Sequence, residues 1–127
     1  MAMHRSRLRA LMIDVPGPDL APATAFWSGA LGKKPNRTPA EAHPYLTLLP
    51  RDAGLRVTLQ RIDGAARYHV DIETDDLEAE VKRLEALGAQ EVERSGDWVV
   101  MRDPAGLPVC VVPVESTDFD TTATTWT

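Results

Sequence analysis

The chain has 127 residues, 43% hydrophobic and 26% charged, the composition of a soluble globular protein, and at this length about two-thirds of the unfolded surface is hidden on folding, enough for a core without disulfides. Fourteen Lys and Arg against nineteen Asp and Glu give a formal charge of −5, which argues against nucleic acid or an anionic membrane as partner. The one cysteine, Cys110, excludes an internal disulfide, the lack of zinc-type Cys/His spacing excludes a closed structural zinc site, and a lone thiol suits the cytoplasm.

In chain order, Leu8 to Val15 is the first predicted strand, with Leu11, Ile13 and Val15 on one face and Met12 and Asp14 on the other. Arg9 and Asp14 interrupt it, so it is too short and too charged for a membrane span or a signal-peptide core. A helix follows, with Ala23, Phe26, Trp27, Ala30 and Leu31 as its apolar stripe, Pro22 in its first turn and Gly32 as its stop. The segment from Lys33 to Pro44, with Pro35, Pro39 and Pro44, is expected to hold a short edge strand and a loop. Tyr45 to Leu49 and Leu55 to Ile62 then read as strands joined by a turn at Pro50 to Gly54.

The second half repeats this order. Tyr68 to Glu73 is a strand with Val70 and Ile72 opposed to His69, Asp71 and Glu73. Leu77, Val81, Leu84 and Leu87 mark a helix opened by Asp75 and Glu78 as a capping box and closed at Gly88. Strands over Gln90 to Glu93, Trp98 to Arg102 and Pro108 to Val114 complete the half, separated by turns at Ser95 to Asp97 and Asp103 to Gly106. Asp14 and Asp71, Asp19 and Asp76, and Leu20 and Leu77 are each 57 residues apart, and the offset is 56 for Leu31-Gly32 against Leu87-Gly88. The repeat predicts an α+β fold of two βαβββ modules, about 8–62 and 67–114, in a single domain over 1–127 with a tail over 115–127. Phe119 and Trp126 are large apolar anchors in that polar, Thr-rich tail, so the tail is expected to dock rather than wander.

If Val70 and Ile72 meet the helix, His69 and Asp71 face away from it, and by the repeat so do Met12 and Asp14; Thr58 and Gln60 share one face of their own strand. Polar side chains on a concave surface read as a ligand cleft. The same residues admit a plainer reading, in which His69 bonds to Asp71 or Gln60 and Cys110 fills space in the core. Trp98 is read as core or cleft wall, and His4 and His43 as solvated surface residues.

Phe26-Trp27 leading to Leu31-Gly32, His69-Val70-Asp71-Ile72 running into Asp76-Leu77, Leu84 to Ala89, and Arg102-Asp103-Pro104-Ala105-Gly106 together resemble the glyoxalase-like branch of the vicinal oxygen chelate superfamily (glyoxalase, bleomycin resistance and extradiol dioxygenase proteins). The resemblance implies a cupped mixed sheet with helices outside, a homodimer, and a cup that takes a small organic molecule. In the superfamily's enzymes a divalent metal sits in that cup, and the ligand positions map onto Met12 and His69 in the first strands and Gln60 and Cys110 in the last strands. His69 is a good ligand, Gln60 a weak neutral one, Cys110 usable as thiolate, and Met12 a soft thioether unsuited to Mg, Mn or Fe. The implied cleft is therefore His69, Gln60, Met12, Asp71, Cys110 and Asp14, with no cofactor expected. The alternative is a metal-dependent lyase, isomerase or dioxygenase with the metal on His69 and Gln60.

Overall fold

A computed structural model describes residues 3–40, 43–50 and 55–127. The elements are β1 (His4–Pro16), α1 (Ala21–Leu31), β2 (Tyr45–Leu49), β3 (Arg56–Ile62), β4 (Arg67–Thr74), α2 (Leu77–Ala86), β5 (Gln90–Ser95), β6 (Trp98–Arg102), β7 (Pro108–Pro113), α3 (Phe119–Thr122) and β8 (Thr124–Trp126). The fold is α+β with mixed strand pairing. Backbone contacts divide it into two compact units: Ala10–His69, and Met1–Arg9 with Val70–Thr127. The long strand β1 thus contributes its second part to one unit and its beginning to the other.

In the unit of residues 10–69 the strand order is β2-β3-β1. β3 runs antiparallel to β2 and parallel to β1, with Met12 opposite Thr58 and Asp14 opposite Gln60. Ile13, Leu20, Leu46, Leu48, Val57 and Leu59 form the buried core, joined by Leu11, Val15 and Trp27, so the alternation read for β1 holds. Helix α1 ends at Gly32, whose φ of +65° is the left-handed value that glycine adopts without strain. Its buried face differs from the predicted stripe. Leu20, Thr24 and Trp27 face inward and Phe26 is 64% exposed, because the Thr24 hydroxyl is satisfied by donating to the Leu20 carbonyl at 2.7 Å and can be buried on the helix's inner side.

The expected edge strand between α1 and β2 is absent among the described residues; those in 33–40 and 43–44 are irregular. Asn36 takes over the job of a strand there. Its backbone N–H donates to the Thr47 carbonyl and its side-chain oxygen accepts from the Thr47 N–H, both at 2.9 Å. One residue thus satisfies both backbone groups of Thr47 on the outer edge of β2, and the surrounding prolines remove the donors a continuous ladder would need. Most of the predicted turn at Pro50 to Gly54, residues 51–54, lies outside the described residues.

The second unit carries the order β1-β4-β7-β6-β5, with β8 antiparallel to the start of β1. β4 and β7 are parallel, with Asp71 opposite Cys110. This repeats the parallel β1 and β3 pair, in which Asp14 stands opposite Gln60, so the internal repeat extends to strand register. Val81, Val99, Met101 and Val111 form the core with Leu77, Leu84 and Ala89. Leu87, the last residue of the predicted stripe, is 66% exposed. Trp98 is also exposed, neither core nor buried wall. The helix cap differs by one residue from the expected box. The carboxylate that accepts from the Ala79 N–H is that of Asp76, while Asp75 accepts from the Arg5 backbone N–H and guanidinium.

The tail is docked as expected. Phe119 is 3% exposed with the Arg5 guanidinium 5.2 Å from its ring, and the Trp126 indole N–H donates to Ser6 at 2.9 Å while its ring lies 3.9 Å from the Arg83 guanidinium. His4 is no free surface residue: its Nε2 lies 2.8 Å from Glu80, a fully buried carboxylate that also accepts two hydrogen bonds from Arg83. Burial pushes the Glu80 carboxyl up, but the bonds from Arg83, His4 and Ser6 outweigh it and hold it below the usual 4.5. Glu73 is likewise lowered despite its burial, by Ser116, the backbone N–H groups of Glu115 and Ser116, and Arg7. A folded-state pKa below the unfolded one stabilises at pH above the unfolded value, and that stability is lost as pH falls through the folded value. Denaturant midpoints should therefore be flat with respect to these two groups from neutrality down to about pH 5 and fall steadily below about pH 4.5. Glu80→Gln should flatten part of that acid slope; an unchanged slope would show that Glu80 is not a source of it.

Candidate functional site

The polar face of the 10–69 unit is built by strand alternation alone. Each strand that sends an aliphatic residue into the core sends its neighbour to the other side. Tyr45 and Thr47 of β2, Thr58 and Gln60 of β3, Met12 and Asp14 of β1, and His69 at the start of β4 follow one another across this face. The Thr47 and Thr58 hydroxyls are 3.2 Å apart, with Arg56 donating to both, and the Gln60 amide makes a long 3.5 Å contact to the Tyr45 hydroxyl.

Asp14 is the centre of charge. Its side chain is fully buried, and its Oδ2 lies 2.6 Å from His69 Nδ1 and 3.1 Å from Arg67 Nε. An ionised carboxylate only accepts, so the proton of this bond belongs to His69 Nδ1, which fixes the tautomer and the ring plane. The other oxygen, Oδ1, is buried with no hydrogen-bond partner among the described residues. A buried acceptor without a partner costs about 1–3 kcal/mol, so the site holds an unmet demand for a donor. His69 thus bonds to Asp14, a partner that the plainer sequence reading, with Asp71 or Gln60, did not name.

The remaining residues named from sequence stand as follows. Met12 is buried and Gln60 half-buried on the same face as Asp14. In the other unit Asp71 accepts from Arg9 at 3.4 Å, and its register partner Cys110 is half-buried. Sequence reasoning missed Arg67. It lies two residues before His69 on β4, so strand parity alone places both side chains on one face.

Within the 10–69 unit, His69 and Asp14 are the good ligands for a divalent ion on this face. His69, held by a carboxylate through Nδ1, is oriented as a ligand would be. The other positions are a thioether in Met12 and a neutral amide in Gln60, and of the Asp14 carboxylate Oδ2 is engaged by His69 and Arg67. Catalytic sites generally present three good N, O or S ligands.

Paired strand–helix–strand halves, with the last strand of each parallel to its first, carry a polar sheet face centred on a buried His–Asp pair. Residues 10–112 match the family model described as a glyoxalase-like domain. The chain belongs to that family, within the glyoxalase, bleomycin resistance and dioxygenase superfamily. A search of curated proteins gave no match. Among solved structures, one described as an NAD-dependent benzaldehyde dehydrogenase from Legionella pneumophila superposes with a TM-score of 0.61 at 10% identity, over 83% of this chain and 99% of that one. A hypothetical protein from Bacillus halodurans gives 0.59 at 11% identity over 88% and 96%. A glyoxalase/bleomycin resistance protein/dioxygenase superfamily member from Vibrio splendidus gives 0.55 at 15% identity over 84% and 98%. At these identities the likeness is one of fold. No helix among the described residues is long and apolar enough to cross a membrane.

Proposed function

We propose that the protein binds a small organic molecule on the polar face around Asp14, His69, Gln60 and Met12, without a tightly held metal, and that it does so as a cytoplasmic homodimer. The observation that carries this reading is the buried Asp14 Oδ1, an acceptor oriented by His69 and Arg67 and left without a donor. A ligand hydroxyl, amide or amine would supply it, and a bound molecule would recover the cost of that unpaired atom. Asp71 and Cys110, which occupy the equivalent register in the second module, are proposed as contacts in the same sense. The dimer is supported by Phe26, Tyr45 and Tyr68, each more than half exposed in one unit, since aromatic residues are enriched at protein interfaces. The neutral and soft donors at the family's ligand positions favour binding over metal chemistry.

Native mass spectrometry of protein purified without added metal or chelator tests the whole reading, because it reads retained ligand, metal and assembly together. The expected result is a dimer that carries a small organic molecule and less than stoichiometric metal, with the molecule lost in Asp14→Asn and His69→Ala. Near-stoichiometric Zn, Fe, Ni or Mn that disappears in His69→Ala would overturn it in favour of the metal-dependent enzyme.

A further inference from the structure

Beside Asp14, where the end of β1 meets the start of β4, the 10–69 unit has a cavity of about 240 Å³. Its walls include Val15, Pro16, Trp27, Tyr68, Arg67 and Asp14. All but the last two are apolar or aromatic, and Trp27 is oriented by an edge-to-face contact with Phe26 at 5.2 Å. Ligand pockets usually span about 300–1,000 Å³, so the space suits a molecule no larger than one ring with a short substituent.

The polar element is Arg67. Its Nε is tied to Asp14 Oδ2 at 3.1 Å, and neither Nη atom makes a hydrogen bond or ion pair among the described residues. Its side chain is 53% exposed, so the free edge is reachable. Asp14 in turn is fixed by His69 at 2.6 Å, which makes the guanidinium a braced group rather than a swinging one. A guanidinium held at one edge and open at the other presents two parallel N–H donors, the geometry that a carboxylate accepts bidentately.

The geometry points to a specific ligand class for this cavity, which adjoins Asp14 but is not lined by Met12, Gln60 or His69: a small monocarboxylate with an apolar, ring-sized body, its carboxylate on the Arg67 Nη edge and its body against Trp27 and Tyr68. The inference goes beyond the binding reading: it concerns the cavity walled by Val15, Trp27 and Tyr68, and such a ligand does not supply the donor that Asp14 Oδ1 could accept. In a chain of net charge −5, an organic anion is the ligand that the global charge least favours, so the selectivity must come from this one braced cation.

Three probes of one shape and different charge decide it: phenylacetate, phenylacetamide and phenethylamine, titrated into the wild-type protein while the indole N–H signals of its three tryptophans are followed by NMR. Trp27→Phe assigns the Trp27 signal. Phenylacetate should shift that signal saturably and bind about tenfold or more tighter than the amide, the loss expected for charge-assisted hydrogen bonds. Arg67→Met should abolish the preference, and Arg67→Lys should retain charge attraction while losing most of the bidentate gain. Because the comparison of probes is made on wild type, it does not depend on the variants folding. Equal or tighter binding of the amide or the amine would overturn the carboxylate assignment and leave the binding reading standing. Failure of all three to move the Trp27 signal would also overturn the assignment, while the binding reading is judged separately by the molecule retained through Asp14 and His69.

Discussion

Replacing Glu73 with alanine is expected to destabilise the protein by about 3–5 kcal/mol, the range for removing one partner of a buried ion pair. Glu73 is fully buried and accepts four hydrogen bonds. Oε2 accepts from Arg7 Nε at 2.9 Å and from the Ser116 hydroxyl, and Oε1 accepts from the backbone N–H groups of Glu115 and Ser116 at 2.9 and 3.0 Å. The Arg7 side chain is only 5% exposed. Truncation would leave a buried cation and two partly buried N–H groups without this partner, so the cost comes chiefly from what remains. Urea unfolding of the wild type and Glu73→Ala gives the comparison directly. A loss below about 1 kcal/mol would place the substitution among ordinary surface changes and show that Asp118, 3.1 Å from Arg7 Nη2, suffices as the counter-charge. The same network explains where the chain turns after β7. The carboxylate gathers the backbone of 115–116 and so directs the tail back across the unit.

Deleting residues 118–127 should cost at least as much as truncating Phe119 alone, about 3–5 kcal/mol for a buried Phe→Ala change. Phe119 supplies the apolar area, and α3 presents Asp118 and Thr122 to Arg7. β8 then pairs Thr124, Thr125 and Trp126 with Ser6, Arg5 and His4. The deletion would therefore bare the first strand's outer edge as well as the hydrophobic seat of Phe119. Thermal unfolding of the truncated chain and of Phe119→Ala separates the two contributions. If the point variant loses most of the stability, burial dominates; if only the deletion does, strand pairing and the Trp126 contacts dominate. An unchanged melting temperature in both would mean that the docked tail contributes nothing to the fold.

What the sequence determined by itself is local and periodic. The alternation of Leu11, Ile13 and Val15 against Met12 and Asp14 fixed which face of β1 enters the core, since side-chain direction in a strand has period two whatever the strand later pairs with. The offset of 57 between Asp14 and Asp71 carried the repeat, while the equivalence of Gln60 and Cys110 was implied by the family resemblance; the two parallel registers display both. Helix α1 was legible in extent and not in phase, because Phe26 and Trp27 are adjacent and equally apolar, and only the space left beside Leu20 and Thr24 selects one of them for burial. The charged core was not legible at all. His4 meets Glu80, Arg7 meets Glu73 and His69 meets Asp14 across 76, 66 and 55 residues. No local pattern distinguishes a charged residue destined for such a pair from one bound for solvent, which is where charged residues mostly lie. Pairing of β1 with β4 brings these groups together, and that pairing also sets which of the site's polar atoms are satisfied and which, like Asp14 Oδ1, are left open. Strand parity could say that Asp14 and His69 point to one side; only the tertiary structure decided that they touch, because that depends on the separation and register of two strands more than fifty residues apart.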